Sequence, residues 1–177
     1  MTTLRKFVAT DLFNFNLINL DRFTETYNLG FYGYYFTRWP WLQRVVVAPD
    51  GTLAAYILGK VEGSGRMLHG HISAVTVAPE YRRLGVARAL LQFLEQVSEQ
   101  HAGAFFIDLF VRVSNRTAVD MYQRLGYAIY RTVVGYYADS EDAYDMRKPC
   151  PSRDPTGSCL VCARNRRRVR PHELEFD

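Results

Sequence analysis

The sequence lacks several features, and each absence narrows what the chain can be. It has no run of 18 or more apolar residues, the length a helix needs to cross a bilayer, so no membrane span is expected. The N-terminal MTTLRKFVATDLFNF has neither an apolar core nor a small-residue cleavage motif, so no secretory leader is expected. Cysteine is scarce: Cys150, Cys159 and Cys162 all lie near the C-terminus. An odd, late cluster is a poor disulfide framework and fits a reduced, cytoplasmic protein. Neither Gly-x-x-x-x-Gly-Lys-Ser/Thr nor Gly-x-Gly-x-x-Gly occurs, which excludes the two common phosphate-binding loops.

Most of the chain also lacks a charge surplus. The net charge is +4, but residues 147–177 hold eight Lys/Arg against four Asp/Glu, and the rest carries fourteen of each sign. The body therefore has no electrostatic footprint of a nucleic-acid surface. The basic stretch ARNRRRVR, residues 163–170, can touch ribosomal RNA through phosphate charge or simply be solvated. What is present is core-forming material. Of 177 residues 48% are hydrophobic, enough for one domain with a real core.

The chain reads as β-α-α-β-β-β-α-β-α-β-β. LRKFV (4–8) is a short strand. TDLFNFNLINL has apolar residues at helical spacing behind Thr10 or Asp11 as a cap. The aromatic TETYNLGFYGYYFTRWP predicts a second helical stretch, interrupted near Gly30 or Gly33. QRVVVAPDGTLAAYILGKVEG is two strands around a hairpin turn, and HGHISAVTVAP is a third. GVARALLQFLEQVSEQH is an amphipathic helix, and AFFIDLFVRV has the pattern of a strand buried on both faces. NRTAVDMYQRLG predicts a helix that starts at Ser114 or Asn115 and stops at Gly126. YAIYRTVVGYY and AYDMRK close the fold. This predicts a mixed α+β class: a mostly antiparallel seven-stranded sheet with helices on both faces. From Pro149 the pattern dissolves into Pro, Gly, Ser and charge. We therefore expect a domain at 1–148 and a basic, flexible tail at 149–177. Cys159-x-x-Cys162, with Cys150 and His172, is too irregular for a zinc site, and no metal is expected.

One junction carries chemistry. PEYRRLGVARALL (79–91) links a strand to a helix. A helix N-terminus offers unpaired N–H groups and partial positive charge. Gly85 permits a tight turn and close approach of a ligand. Arg82, Arg83 and Arg88 add charge, so the junction reads as an anion cradle suited to a pyrophosphate, or as a helix start with solvated arginines.

AVTVAPEYRRLGVARALL resembles the acetyl-CoA motif of the GNAT superfamily of N-acetyltransferases, and VSNRTAVDMYQRLGY looks like that family's second motif. Further stretches, among them NLINLD, TETY, HGHISAVTVAPEYRRLG, FFIDLFVRVSN, YRTVVGYY and EDAYDMRK, resemble the catalytic subunits of NatB-type N-terminal acetyltransferases over residues 1–148. The resemblance implies a GNAT fold and acetyl-CoA as co-substrate. It implies an acetyl-CoA contact surface of Val75, Val77, Arg82, Arg83, Leu84, Gly85, Val86, Ala87, Arg88, Asn115 and Tyr122. It places the Tyr122 phenol near the thioester sulfur, to protonate or orient the leaving thiolate, although the spacing of Tyr122 also suits a core position. It puts His71 in the peptide slot, to relay the amine proton or to hold a polar second side chain. His69 shares the strand face of His71, and one of the two is expected to be satisfied by a backbone carbonyl. Glu25, Tyr27, Tyr136 and Tyr137 would flank the peptide entrance, Ala74 and Phe110 would line the first side-chain pocket, and Asn115 would cap its helix close to both substrates.

The reaction so implied is attack of an α-amine on a thioester. That amine has a pKa of about 7.7–8.0, against about 10.4 for lysine, so positioning and oxyanion stabilisation can carry much of the catalysis. The implied substrates are nascent chains beginning Met-Asp, Met-Glu, Met-Asn or Met-Gln. The implied partner is a large auxiliary subunit of helical repeats, met through early helices that display Phe13, Phe15 and Leu17. Two other readings stay open: a GNAT enzyme acting on lysines or small amines, and a non-catalytic GNAT-fold binding module.

Overall fold

The hairpin at the centre of the sequence forms as its turn chemistry dictates. Strands β2 (Arg44–Val47) and β3 (Leu53–Glu62) pair antiparallel, Arg44 opposite Ile57. Gly51 supplies the left-handed residue at φ 86°. The Asp50 carboxylate accepts from the Thr52 amide and hydroxyl at 3.0 and 2.7 Å, an Asx-type lock on the turn. β1 (Thr3–Lys6) pairs antiparallel with β2, Thr3 opposite Val47.

This computed structural model describes residues 2–14, 18–20, 23–160 and 167–174. The remaining elements are α1 (Leu29–Arg38), β4 (His69–Val77), α2 (Val86–Ala102), β5 (Phe106–Arg112), α3 (Arg116–Arg124), β6 (Ala128–Val133), β7 (Ala143–Pro149) and β8 (Arg168–Val169), with short 3-10 turns between them. They fall into two units, Met1–Lys60 with Ile72–Val97, and Val61–His71 with Ser98–Asp177. β3, β4 and α2 each continue from one unit into the other.

The first unit has the strand order β1-β2-β3-β4. Its core joins Phe7, Ile18, Tyr32, Tyr35, Val45, Tyr56 and Leu58. Two expectations are corrected here. In place of the expected helix, the described residues of this stretch form 3-10 turns at Ala9–Asn14 and Ile18–Leu20. The buried Asp11 carboxylate explains this for the first turn. It binds both arms of Arg5 at 2.7 Å and the Val8 amide at 3.0 Å, which tightens the chain locally. Nor is the aromatic helix interrupted at Gly30 or Gly33. α1 starts only at Leu29, because the Asn28 side chain caps the Phe31 amide at 2.9 Å, and both glycines lie inside it. Burial of Tyr32 and Tyr35 outweighs the helix cost of two glycines, about 1 kcal/mol each.

The second unit has the order β4-β5-β7-β6-β8. β5–β7 and β7–β6 are antiparallel, and β6–β8 is parallel. Described strands number eight, not seven; the added strand comes from the tail. Other parts of the tail are also engaged. Cys150 and Asp154 are buried. The Asp154 carboxylate accepts from the amides of Ser158 and Cys159 at 2.8 and 2.9 Å. Although burial raises a carboxyl, these bonds hold Asp154 down at about 2. Cys162, Phe15, Leu17 and residues 163–166 of the basic stretch lie outside the described residues.

Gly70 in β4 is a packing constraint. A Cβ there would meet Ser98 Oγ at 2.5 Å and Ile107 Cδ1 at 2.9 Å. Gly70→Ala should cost about 1–3 kcal/mol by overpacking, which a urea denaturation curve will read as a lower midpoint at unchanged slope.

Candidate active site

The Arg82–Val86 junction has the geometry of an anion cradle. β4 ends at Val77, a 3-10 turn covers Pro79–Tyr81, and the Arg82 Nε donates to the Val77 carbonyl at 3.0 Å. Arg83 and Gly85 then both enter the left-handed region, at φ 65° and 81°, on either side of Leu84. Such left-handed turns aim backbone N–H groups into a concavity that takes anions. A left-handed arginine is strained backbone, of the kind that collects at functional sites. α2 begins at Val86, and its free amides add to the cradle. A Cβ on Gly85 would touch nothing within 4 Å. Arg82, Arg83, Leu84 and Arg88 are exposed, and Val86 and Ala87 half-buried. Alternation puts Val75 and Val77, both half-buried, on one face of β4. In the same unit the Tyr27 ring stacks on Phe31 at 3.9 Å, and its hydroxyl donates to the Ser73 carbonyl at 3.5 Å. Tyr35 bonds the Ser73 hydroxyl at 2.7 Å. Glu25 and Ala74 are half-buried.

The second unit contains a buried histidine–aspartate pair. His71 Nδ1 lies 2.8 Å from Asp108 Oδ1, and Asp108 is fully buried in β5. A carboxylate accepts, so Nδ1 carries the hydrogen and Nε2 is left as the other functional nitrogen. The His71 side chain keeps 10% exposure. The expectation for the pair of histidines divides cleanly. His69 Nδ1 donates to the Met67 carbonyl at 2.6 Å, and its Nε2 sits 3.7 Å from both Glu62 and Asp108. Burial lowers a histidine, but Asp108, Glu62 and the Met67 carbonyl outweigh it and raise His69. For Asp108 burial pushes upward, and His71, His69 and Arg147 outweigh it and hold the carboxyl below its usual range. Arg147 faces Asp108 across the β5–β7 ladder but spends its bonds on Asp145, at 3.2–3.3 Å.

A run of rings leads away from His71. Phe110 lies 5.5 Å from it, Tyr136 lies 4.6 Å from Phe110, and Tyr137 stands edge-on to Tyr136 at 5.1 Å. Arg112 fixes the far end. Its guanidinium sits 3.9 Å over the Tyr137 ring and binds Asp139 and Glu141 at 2.8–2.9 Å. Glu141 in turn accepts from the Ser114 amide at 2.9 Å, next to Asn115. The expected cap is present: Asn115 Oδ1 accepts from the Ala118 amide at 3.2 Å. Tyr122, on α3, is 7% exposed and meets Tyr127 edge-on at 5.7 Å. Burial pushes its phenol well above the ordinary value, so it stays protonated and can serve as a donor, not a base.

Asp108, Arg112 and Glu141 were not singled out by the sequence. The signal for Asp108 was a lone acid inside the apolar run FFIDLFV, where a carboxylate is costly unless partnered. Among the described residues no group of three His, Cys, Asp or Glu could hold a metal. Burial pushes the Cys159 thiol up to about 12, which disfavours the thiolate a metal needs.

The model of the acetyltransferase (GNAT) family matches residues 13–127. The chain belongs to the GNAT acetyltransferase family. Within it, the chain is 48% identical to the N-terminal acetyltransferase B complex catalytic subunit NAA20 of Arabidopsis thaliana, over 100% of both chains. It is 53% identical to the corresponding subunit of Schizosaccharomyces pombe, over 87% of this chain and 88% of that one. A crystal structure of Chaetomium thermophilum Naa20 with a bisubstrate analogue superposes with a TM-score of 0.90 at 42% identity, covering 96% and 97% of the two chains. This GNAT chain is therefore an N-terminal acetyltransferase of the NatB catalytic-subunit type.

The buried carboxylate gives a pH-dependent stability. A folded value held below the unfolded one adds stability above the unfolded pKa, lost as pH falls through the folded one. Asp108→Asn should cost about 3–5 kcal/mol at pH 7, and thermal melts should show the gap to the parent narrowing below about pH 4.

Proposed function

We propose that the chain transfers the acetyl group of acetyl-CoA to the α-amine of an N-terminal methionine followed by Asp, Glu, Asn or Gln. The observation that carries the substrate class is the pairing of His71 with the ring run Phe110, Tyr136 and Tyr137. Rings suit a methionine side chain, whose thioether favours aromatic contact. A histidine with Nδ1 already engaged offers Nε2 to a polar second side chain. Glu25, Tyr27 and Ala74 are further candidate peptide contacts by the family resemblance. The catalytic part is residues 1–148, with the basic tail beyond it.

The chemistry follows. The Arg82–Arg88 loop and the first turn of α2 hold the pyrophosphate of acetyl-CoA through backbone amides, with Val75 and Val77 beside the rest of the cofactor. The substrate ammonium gives up one proton, to His71 or to water. The neutral amine attacks the thioester carbonyl, the C–N bond forms, and the C–S bond breaks. A second amine proton ends on the departing sulfur, passed by the Tyr122 phenol, which donates and is then reprotonated. Asn115 lies at the start of α3, near the same atoms in this reading.

Partners are proposed with it. A solved structure described as the NatB acetyltransferase complex bound to a bisubstrate inhibitor superposes at a TM-score of 0.84, which supports a large auxiliary subunit here as well. Among the described residues Phe13 is 78% exposed on the early segment expected to meet it. Nascent chains on cytoplasmic ribosomes would supply substrate, with the surplus of tail arginines available for ribosomal RNA. No helix among the described residues is long and apolar enough to cross a membrane.

The test is acetyl transfer from labelled acetyl-CoA by the chain with its auxiliary subunit. Peptides beginning Met-Asp, Met-Glu and Met-Asn should be acetylated, and Met-Leu, Ser-Ala and an N-blocked lysine peptide should not. Transfer to the lysine peptide instead would replace this reading with that of a side-chain acetyltransferase. Tyr122→Phe should lower kcat by about a hundredfold with the peptide KM little changed.

A further inference from the structure

The tail carries the second unit's least explained feature. β8 runs parallel to β6, Thr132 opposite Arg168 and Val133 opposite Val169. Backbone bonds at both ends of the pairing help fasten it: the Thr132 amide donates to the Arg167 carbonyl at 3.0 Å, and the Val134 amide to the Val169 carbonyl at 2.8 Å. In the strand order β8 therefore covers what would be the open edge of β6. Val134 is one residue short of Gly135, where the chain turns left-handed at φ 61° and enters the Tyr136–Tyr137 hairpin.

The side chains point to the same place. Val169, 3% exposed, forms a small core with Val133 and Ala143, and Phe110, Tyr137 and Leu174 pack against it. Two of these, Phe110 and Tyr137, belong to the ring run beside His71. Arg168 reaches Asp142 at 2.8 Å, and the other oxygen of that carboxylate takes the Gly135 amide at 2.9 Å. The arginine thus steadies the acid that closes the base of the hairpin. Arg168 is 65% exposed, so its ion pair orients more than it stabilises; the apolar contact of Val169 supplies the adhesion.

We propose that the segment Arg167–Leu174 is a positioning element for peptide recognition, a buttress that holds Tyr136, Tyr137 and Phe110 in their working arrangement. The proposal rests on the reading that these rings face the peptide. Its consequence is a division of labour: the contacts of the tail run to Phe110, Tyr137 and the base of the hairpin, so the tail sets how well the peptide binds and leaves acetyl-CoA binding alone.

The test uses the complex with its auxiliary subunit and compares a chain ending at residue 166, Val169→Asp, Val169→Ile, Arg168→Ala and Tyr137→Ala. Initial rates are measured with a Met-Asp peptide and acetyl-CoA varied in turn. The shortened chain and Val169→Asp should raise the peptide KM about five- to tenfold, with the acetyl-CoA KM held within about twofold. Val169→Ile should restore the parent value, and Arg168→Ala should raise the peptide KM less and lose its effect in high salt. An unchanged peptide KM in the shortened chain, or an equal rise in both KM values, would overturn the buttress. Tyr137→Ala separates the two ideas. If it leaves the peptide KM unchanged, the peptide-site reading itself fails; if it raises that KM while the tail variants do not, only the buttress fails. If the shortened chain does not assemble, Val169→Asp and Val169→Ile decide by the same split.

Discussion

Among the buried charges of the second unit, the proposed site depends most on one. Asp108 stands in the middle of β5 with apolar neighbours on either side in sequence, and it has no exposure to water. Removing a carboxylate from water costs several kcal/mol, and an apolar residue of similar size is often no less stable. The cost is met here by His71 at 2.8 Å, His69 at 3.7 Å and the facing Arg147. What the fold gains is a histidine with one nitrogen committed and the other presented. The two histidines share one face of one strand and still have different fates, because Asp108 takes Nδ1 of His71 and the Met67 carbonyl takes Nδ1 of His69.

The junction that ends in α2 is shaped by its backbone more than by its side chains. Arg83 and Gly85 in the left-handed region, followed by the first turn of α2, collect N–H donors at one point. Arg82 is drawn back onto the end of β4 by its bond to Val77. That bond makes it a brace for the loop as well as a charge. In the proposed reading the amides, rather than the arginines, hold the anion.

Much of this was legible because it is local. The Asp50-Gly51 turn, the Asn115 cap and the Gly126 stop each depend on a few neighbouring residues. The junction at 79–91 likewise reads from its own glycine and arginines, and its role as an anion site stands as proposed above. Failures came where a distant partner overrode local pattern. The helical spacing that begins at residue 10 gave way, over Ala9–Asn14, to Asp11 gripping Arg5, and the glycines of α1 were carried by the packing of Tyr32 and Tyr35. The tail looked structureless because two residues, Arg168 and Val169, make too short a strand to leave a periodic signature.

By itself the sequence determined the class of fold, the order of most elements and the strand-to-helix junction at 79–91, since those follow from periodicity, turn residues and the spacing of Arg82, Gly85 and Ala87. Tertiary structure alone decided that β7 inserts between β5 and β6, that Asp108 meets His71 across 37 positions of chain, and that the tail reaches β6. Each of these is a long-range pairing. Its energy comes from burying one segment against another, and no window of neighbouring residues contains both halves.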